Sequence, residues 1–516
     1  MAAFIFHKIK MPTKIFSAAV IGLDAAPVEV EADIADGLPK FIVVGLPDTA
    51  VQESRERVRA ALGNSGVEFP RTRVAVNLAP ADVKKEGPAY DLPIAIAVVK
   101  AMGALPNDVG TNRIFLGELA LDGSLRPVAG VLPIALMAAA KGFKEIYLPP
   151  GNAREAALAE GVTIFPVPNL PSLICHLRDI TPLTAHVREP WTVSTPVAAN
   201  DFADIRGQGY AKRALEIAAA GGHNILLSGP PGAGKTLLAR AMPGILPPMR
   251  REEILEVTKI ASVAGLLASM NGSASIVTGR PFRAPHHTAS GAALIGGGSW
   301  PRPGEVSLAH RGVLFLDEFP EFPRAVLENL RQPLEDGTVT IARANGTLTF
   351  PAKFMLVAAR NPCPCGYASD PDTACTCAQA KVVSYGRRIS GPLLDRIDLH
   401  IEVPRMQAEE LLSPIAEESS AIVRARVTIA REKQIVRLTP HGMHSNAEMS
   451  HALLRKICPL SKEAEQIIRA AIARLGLSAR AVTRTIRLGR TIADLDGAEE
   501  MRADHVAEAV QYRERR

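Results

Sequence analysis

The sequence has few aromatic residues and no apolar run long enough to cross a membrane. Phenylalanine, tyrosine and tryptophan make up 4% of the 516 residues, which argues against a surface that stacks single-stranded bases on aromatic rings. A membrane-spanning helix needs about 20 consecutive apolar residues, and the apolar segments here are shorter. The N-terminal segment MAAFIFHKIKMPTKIF interleaves charged and apolar residues, unlike a secretory signal peptide, and Met11 is an alternative start. We expect a cytoplasmic protein with no membrane partner.

Cysteines are also few, and four of the six lie close together. Cys363, Cys365, Cys375 and Cys377 form two C-x-C pairs, while Cys175 and Cys458 are isolated. Without a secretory signal, such a cluster indicates a metal site in a reducing compartment rather than a disulfide framework. Four thiolates can enclose a tetrahedral Zn²⁺ as a structural site. The spacing differs from the usual C-x₂-C, so unliganded thiols in a reducing cytosol remain the alternative.

The chain is too long for one hydrophobic core, and its patterns divide it into three domains and a linker. The first domain and the second mix strand and helix patterns, and the third is rich in helix signals. The predicted ranges are an α/β domain at 1–183, a linker at 184–200, an α/β core with a parallel sheet at 201–405 and a helical domain at 406–516. The net charge of +6 permits nucleic-acid binding but is equally typical of an ordinary basic surface.

A glycine-rich motif lies between an apolar strand pattern, NILLS, and a helical pattern, TLLARAM. It fits G-x-x-x-x-G-K-[ST], in which backbone N–H groups and a helix N-terminus face phosphate oxygens. Its residues are Gly229, Pro230, Pro231, Gly232, Ala233, Gly234, Lys235 and Thr236. The motif predicts that Lys235 reaches the β- and γ-phosphates of ATP and that Thr236 binds Mg²⁺.

Two acidic residues follow a second apolar strand pattern, GVLFL. Asp317 is the candidate for holding the Mg²⁺ hydration shell, and Glu318 is the candidate for polarising the attacking water. Asn361 ends a further strand pattern and is a candidate for orienting that water; the alternative is a turn asparagine before proline. Arg396 lies between Asp395 and Asp398. It is either an arginine that acts across a subunit interface or part of a surface ion network.

Several long motifs together resemble the ComM/YifB family of magnesium-chelatase-like AAA+ ATPases. They are GPPGAGKT, RPFRAPHHTASGAALIGGG, PGEVSLAHRGVLFLDEFPEF, AARNPCPCG and RRISGPLLDRIDLH. The resemblance, which covers nearly the whole chain, implies that Asn361 is the sensor-1 residue and Arg396 the arginine finger. It also makes Arg480 the best match for sensor 2 in the helical lid, with Arg484 and Arg487 as alternatives at helical spacing.

The same resemblance implies a homohexameric ring that hydrolyses ATP and drives DNA branch migration during natural transformation. Branched or single-stranded DNA and a recombination protein would then be its partners. The alternative is a chelatase-like or protein-remodelling ATPase that does not act on DNA. The family also implies an insert at about 280–312, including the tract GGGSWP. His286 and His287 lie within it, and their adjacency favours a role in a loop over a metal pair.

A β-hairpin is predicted independently of the family. The segment GTVTIARANGTLTFP alternates β-forming residues on both sides of Asn345-Gly346, which is a strong hairpin signal. In a ring motor, such a hairpin would place Arg343 near the pore. A purely structural hairpin is an equal alternative.

The first domain resembles the Lon protease fold. The segments KKEGPAYDLPIAIAVVKA and LRPVAGVLPIALMAAAKGFKEIYLPPGN occupy the places of the Lon serine and lysine loops. Ala89 would stand at the position of the nucleophile and Leu132 at that of the lysine, and neither can serve a Ser–Lys dyad. We therefore expect no peptidase activity, and a role for this domain in assembly or partner contact.

Overall fold

The computed structural model describes residues 13–188, 200–267, 276–298, 302–343, 346–407 and 417–513. Met11, Asn345, the side chain of Arg343 and most of the predicted linker lie outside the described residues. The chain forms two compact units, Met1–Trp191 with Ile254–Val277 and Thr192–Glu253 with Thr278–Arg516. Among the described residues no helix is long and apolar enough to cross a membrane.

The first unit is built on a mixed seven-stranded sheet in the order β3-β4-β2-β1-β5-β8-β9. The antiparallel pairs are β1–β2 and β2–β4, and the other neighbours are parallel. These strands are β1 Thr13–Ile21, β2 Asp24–Ala35, β3 Lys40–Val44, β4 Arg73–Ala79, β5 Arg113–Phe115, β8 Glu145–Leu148 and β9 Thr163–Pro166. A separate small hairpin joins β6 Glu118–Leu119 to β7 Leu125–Arg126.

Helices of the first unit cover two apolar cores. Alternate residues of β1 serve them: Ile15 and Ala19 belong to one core, and Ala18 belongs to the other, as expected for a strand buried on both faces. The helices are α1 Thr49–Asn64, α2 Asp91–Ala101, α3 Val131–Ala140, α4 Ala153–Ala156 and α5 Leu170–Leu177. The sequence pattern predicts a helix from Thr49 to Asn64, and α1 has these bounds.

The second unit contains an all-parallel sheet in the order β11-β14-β17-β10-β18. Its strands are β10 Ile225–Ser228, β11 Phe282–Arg283, β14 Val313–Leu316, β17 Met355–Arg360 and β18 Leu399–Glu402. Their apolar side chains pack with α6 Gly209–Gly221 and α7 Lys235–Ile245 into one core. α8 Arg251–Val263 begins in this unit and ends in the first.

Short elements link the strands of the second unit. The predicted insert contains α9 Gly291–Ile295, the hairpin of β12 Gly296–Gly297 and β13 Arg302–Pro303, and α10 Glu305–Leu308. The predicted hairpin is confirmed: β15 Thr338–Arg343 pairs with β16 Gly346–Pro351 in antiparallel register. The remaining short helices are α11 Arg324–Glu328, α12 Arg331–Asp336, α13 Gln379–Gly386 and α14 Gly391–Leu394.

A helical region follows β18, as predicted. Its helices are α15 Ser420–Leu438, α16 His451–Ile457, α17 Lys462–Leu475, α18 Ala479–Leu495 and α19 Ala503–Gln511. Capping residues and apolar periodicity in the sequence predict helices at Lys462–Leu475 and Ala479–Leu495, and α17 and α18 have these bounds. Each begins at a serine cap whose hydroxyl accepts a backbone N–H bond. Val427 of α15 and Ile492 of α18 belong to the same apolar core as the parallel sheet. The protein is thus an α/β multidomain protein with a parallel-sheet core and a C-terminal helical region.

Candidate nucleotide site

The glycine-rich loop connects β10 to α7, so it lies at the carboxyl end of a central strand of the parallel sheet. Gly229 has no room for a side chain, since a Cβ there would come within 2.1 Å of the Val403 carbonyl oxygen. Gly232 and Gly234 have φ angles of +78° and +87°, which favour glycine. Ala233 N–H donates to the Pro230 carbonyl at 3.3 Å and closes the turn. Glycine is therefore required at position 229 by lack of space and favoured at positions 232 and 234 by backbone conformation.

The side chain of Lys235 is turned back towards the phosphate loop. Only 8% of the residue is exposed, and its Nζ donates to the carbonyls of Gly229 at 2.7 Å and Pro230 at 2.8 Å. A third bond, of 3.1 Å, joins Nζ to Oδ1 of Asn361, the residue that follows β17. Burial lowers the pKa of the lysine, although Asp317 opposes the shift. The structure thus brings together the predicted phosphate ligand and the predicted sensor-1 residue.

Thr236 and Asp317, the two predicted Mg²⁺ ligands, are also in direct contact. The threonine hydroxyl donates to Asp317 Oδ2 at 2.8 Å, and Asp317 directly follows β14. A hydroxyl and a carboxylate are hard oxygen ligands of the kind that Mg²⁺ prefers. These two residues fit a Mg²⁺ that accompanies a nucleotide, and the metal would supply charge neutralisation at the phosphates.

Glu318 has a partner that the sequence analysis did not assign. Its Oε2 lies 3.1 Å from Nδ1 of His287, and the two side chains are 55% and 31% exposed. The backbone of Glu318 is left-handed, with φ at +50°. β11 and β14 are parallel neighbours, so the segments that follow them, which carry His287 and Glu318, emerge at the same edge of the sheet. His286 instead pairs with the Thr288 hydroxyl at 2.9 Å.

Arg396 lies at the opposite edge of the sheet from the phosphate loop. β10 and β18 run parallel, with Ile225 opposite Leu399, and Arg396 precedes β18 whereas the loop follows β10. A four-residue strand spans about 13 Å. The Arg396 carbonyl accepts a 3.1 Å bond from Asn224, the residue just before β10. Arg396 is therefore remote from the phosphate loop of its own chain.

The candidate sensor-2 arginines lie on the same side as Arg396. Both Arg396 and Arg480 form ion pairs with Glu335, the latter at 3.5 Å. Arg484 pairs with Asp398 at 3.3 Å. Burial alone would raise the pKa of Asp398, but Arg484 and His223 lower it. Glu335, Arg396, Asp398, Arg480 and Arg484 line a cavity of about 650 Å³ in the second unit.

Arg487 lines that cavity as well. Its Nε has no hydrogen-bond partner among the described residues, and burial lowers its pKa. Arg480, by contrast, has 64% of its side chain exposed. The structure therefore groups all three sensor-2 candidates with Arg396 and places none of them among the described partners of Lys235.

The four clustered cysteines come together in space. All four sulfur atoms lie within 4.8 Å of one another, and these residues are Cys363, Cys365, Cys375 and Cys377. None of them forms a disulfide in the structure. The group is able to hold a metal ion.

The two residues aligned with the Lon dyad lie in the first unit. Ala89 is half-buried, and its carbonyl accepts from Gly117 N–H at 3.0 Å. Leu132 is fully buried, and its N–H donates to the Ser262 hydroxyl at 3.3 Å. Neither side chain supplies a nucleophile or a base, as the sequence predicts.

A phosphate loop, two acidic residues after another strand of the same sheet, a polar sensor residue and a helical region together define a P-loop ATPase of the AAA+ class. Three family matches cover most of the chain: magnesium chelatase, subunit ChlI, at residues 201–411; subunit ChlI of Mg-chelatase at 30–152; and its C-terminal domain at 417–513. The chain belongs to the ComM/YifB family of magnesium-chelatase-like proteins, and this membership implies ATPase activity with ATP and Mg²⁺.

Close relatives match almost end to end. An uncharacterized protein of Mycobacterium tuberculosis is 47% identical over 500 residues, covering 97% of this chain and 98% of the relative. YifB of Escherichia coli is 42% identical over 501 residues, covering 97% and 96%. The competence protein ComM of Haemophilus influenzae is 42% identical over 503 residues, covering 97% of each. The likeness to a Lon protease of Sorangium cellulosum is local, at 30% identity over 130 residues.

Proposed function

We propose that the protein is a homohexameric ATP-driven DNA helicase that promotes branch migration during natural transformation. The similarity to a relative named a competence protein supports the biological setting. The basic net charge of +6 and the β15–β16 hairpin are compatible with a DNA track. Free cysteines fit a reducing cytoplasm.

One observation carries the motor assignment: the parts needed for hydrolysis lie at two opposite edges of one sheet. Lys235, Thr236 and Asp317 meet at the carboxyl edge, while Arg396 lies at the amino edge. An arginine in that position can reach a γ-phosphate only on a neighbouring chain. A head-to-tail interface that closes by rotation forms a ring, so the arrangement supports a ring in which Arg396 and the sensor-2 arginines act on the adjacent subunit.

In this mechanism Lys235 and the loop amides bind the phosphates. Thr236 and Asp317 would hold a Mg²⁺, which would neutralise charge on the phosphates when bound. Glu318 accepts a proton from the attacking water, and Asn361 orients that water. Arg396 of the next subunit stabilises charge in the transition state. The proposal keeps the predicted domains at 1–183, 201–405 and 406–516 with a linker at 184–200. In it the first domain serves assembly or partner contact rather than proteolysis.

Strand exchange on a three- or four-stranded branched DNA tests the proposal. Wild type with ATP is compared with Glu318→Gln, which removes the base but keeps the shape of the side chain. We expect branch movement in wild type and none in the variant, with DNA affinity that falls as salt rises. Absence of any salt-sensitive DNA binding by the assembled protein would contradict a DNA motor.

A second candidate is a chelatase-like or protein-remodelling ATPase. The family match to a magnesium chelatase subunit favours it, as does a first unit whose Lon-type positions hold Ala89 and Leu132. The discriminating measurement is the stimulation of hydrolysis: DNA stimulates the helicase, whereas a protein partner stimulates the remodelling machine. ATPase activity that is intact and indifferent to DNA would favour the second candidate.

A further inference from the structure

The segment between β17 and α13 has little apolar packing of its own. Of residues 362–378, the structure buries two, Cys363 and Gly366. Loops of this length without secondary structure are uncommon in compact domains unless something else orders them. In this segment the side chains of the four cysteines come together, with their sulfur atoms within 4.8 Å of one another.

The sulfur geometry matches a tetrahedral metal site. Cys363 Sγ lies 3.3 Å from Cys365 Sγ and 3.7 Å from Cys375 Sγ, and the latter two are 3.6 Å apart. With Zn–S bonds of about 2.3 Å, the sulfurs of a tetrahedral site lie about 3.8 Å from one another. The thiols are thus already spaced as the ligands of one Zn²⁺, with no open position for chemistry.

The segment after β17 contacts the phosphate-loop region at two places. The first is the bond from Lys235 to Asn361, and the second is in the cysteine loop itself. Gly366 N–H donates to the Cys363 carbonyl at 3.0 Å and forms a tight turn. The φ of Gly366 is +91°, and a Cβ there would lie 2.5 Å from Cδ of Pro231. The turn at Gly366, which follows the first cysteine pair, therefore packs directly on the ring of Pro231 in the phosphate loop.

We propose that the four cysteines bind one Zn²⁺ and that this zinc knuckle, residues 363–377, supports the phosphate loop, so that metal occupancy sets the affinity for nucleotide. The knuckle holds Gly366 against Pro231, and it follows Asn361, which is bonded to Lys235. Metal binding restricts the loop backbone at both contacts, and preorganised groups bind a ligand more tightly. The inference rests on the proposed nucleotide site.

The first test measures zinc and nucleotide binding separately in the full chain. Wild type is compared with Cys375→Ser/Cys377→Ser, using elemental analysis for zinc and a fluorescent ATP analogue for affinity. We expect about one zinc per wild-type chain and little in the variant, with a nucleotide Kd raised about tenfold through lost preorganisation. Wild type without zinc, or a zinc-free variant that binds the analogue as wild type does, would overturn the inference.

A second variant keeps the metal and disturbs only the contact. Gly366→Ala places a methyl group against Pro231 and leaves all four thiols, so zinc content should stay the same while the Kd rises about tenfold. Gly476→Ala is the matched control, because its φ is +63° and nothing lies within 4 Å of a Cβ there. Equal nucleotide affinities in these two variants would rule out the support role even if the double cysteine variant failed to fold.

The outcomes also separate this inference from the proposed function. Wild type that holds zinc but binds no nucleotide would refute the nucleotide site itself, and the link to the phosphate loop with it. Wild type that binds nucleotide through Lys235 but holds no zinc would leave the ATPase proposal intact and refute only the knuckle.

Discussion

His287 Nδ1 lies 3.1 Å from Oε2 of Glu318, so the candidate catalytic carboxylate has a side-chain partner on the neighbouring strand's loop. Glu318 is 55% exposed, and a half-exposed glutamate without a partner samples several rotamers. The ring of His287 also lies against that of His286, with centroids 4.1 Å apart, and is in a T-shaped arrangement with Phe322. These contacts fix the position of the imidazole and, through it, that of the carboxylate.

We predict that His287→Ala lowers kcat for ATP hydrolysis about tenfold, since the base loses its preorganisation, with little change in KM. His287→Gln keeps a hydrogen-bond donor and should recover part of the loss. Steady-state ATPase kinetics measure both. Faster hydrolysis in the alanine variant would show the opposite role, a histidine that withholds the glutamate.

Loss of the Lys235 amine should remove most of the nucleotide affinity. Removing one partner of a buried charge contact costs about 2–5 kcal/mol, so Lys235→Ala should weaken binding of an ATP analogue on the order of 100-fold. Equilibrium titration gives the constant. Lys462→Ala, at an exposed helix start, is the control and should bind as wild type does. Unchanged affinity in Lys235→Ala would mean that the site lies elsewhere.

Two inactive variants should complement each other if Arg396 acts on a neighbour. Arg396→Ala keeps the phosphate loop, and Lys235→Ala keeps the arginine. In a random equal mixture, about a quarter of ring interfaces join an intact loop to an intact arginine. Each variant alone should be inactive, and the mixture should regain hydrolysis in about that proportion.

The control for this mixing experiment is assembly. Size measurements must show that both variants join the same ring. Mixed rings that contain both chains and stay inactive would place Arg396 in its own chain's site or outside the chemistry.

A pH effect on stability is expected from the first unit. Glu155 is 2% exposed, Asn152 donates to its Oε1 at 2.7 Å, and burial raises its pKa to about 7. The folded state therefore holds a proton that the unfolded state releases at a lower pH. This costs stability increasingly as pH rises from the ordinary glutamate pKa to about 7, and by a constant amount above that.

Glu155→Gln should remove this dependence. Between about pH 5.5 and about pH 8, wild type should lose on the order of 2 kcal/mol that the glutamine variant keeps. Chemical unfolding at the two pH values measures the difference, with Glu56→Gln on an exposed helix face as the control. Parallel losses in wild type and Glu155→Gln would assign the pH effect to other groups.

The sequence predicts the elements that depend on local chemistry. The strand before the phosphate loop, the helix that begins at Lys235 and the serine-capped helices α17 and α18 all follow from short patterns and capping residues. The asparagine-glycine hairpin is of the same kind. Each of these elements depends on residues that are close together in the sequence, and each lies where it was predicted.

Contacts between distant segments could not be read in the same way. The proximity of His287 to Glu318 depends on β11 pairing beside β14, which a two-residue strand barely signals in the sequence. The contact of Gly366 with Pro231 depends on the path of an irregular loop. Parallel strands end at one edge of a sheet, but this rule could be applied to His287 only once β11 is known to be a strand beside β14.

The separation of Arg396 from the phosphate loop across the length of β10 has a consequence for how the protein responds to its own abundance. Under the proposed mechanism, a solitary chain carries two incomplete halves of an active centre, each facing away from the other. Turnover per chain should then climb with protein concentration until rings are saturated. Dilution alone would silence the enzyme and protect cellular ATP, without a dedicated inhibitor.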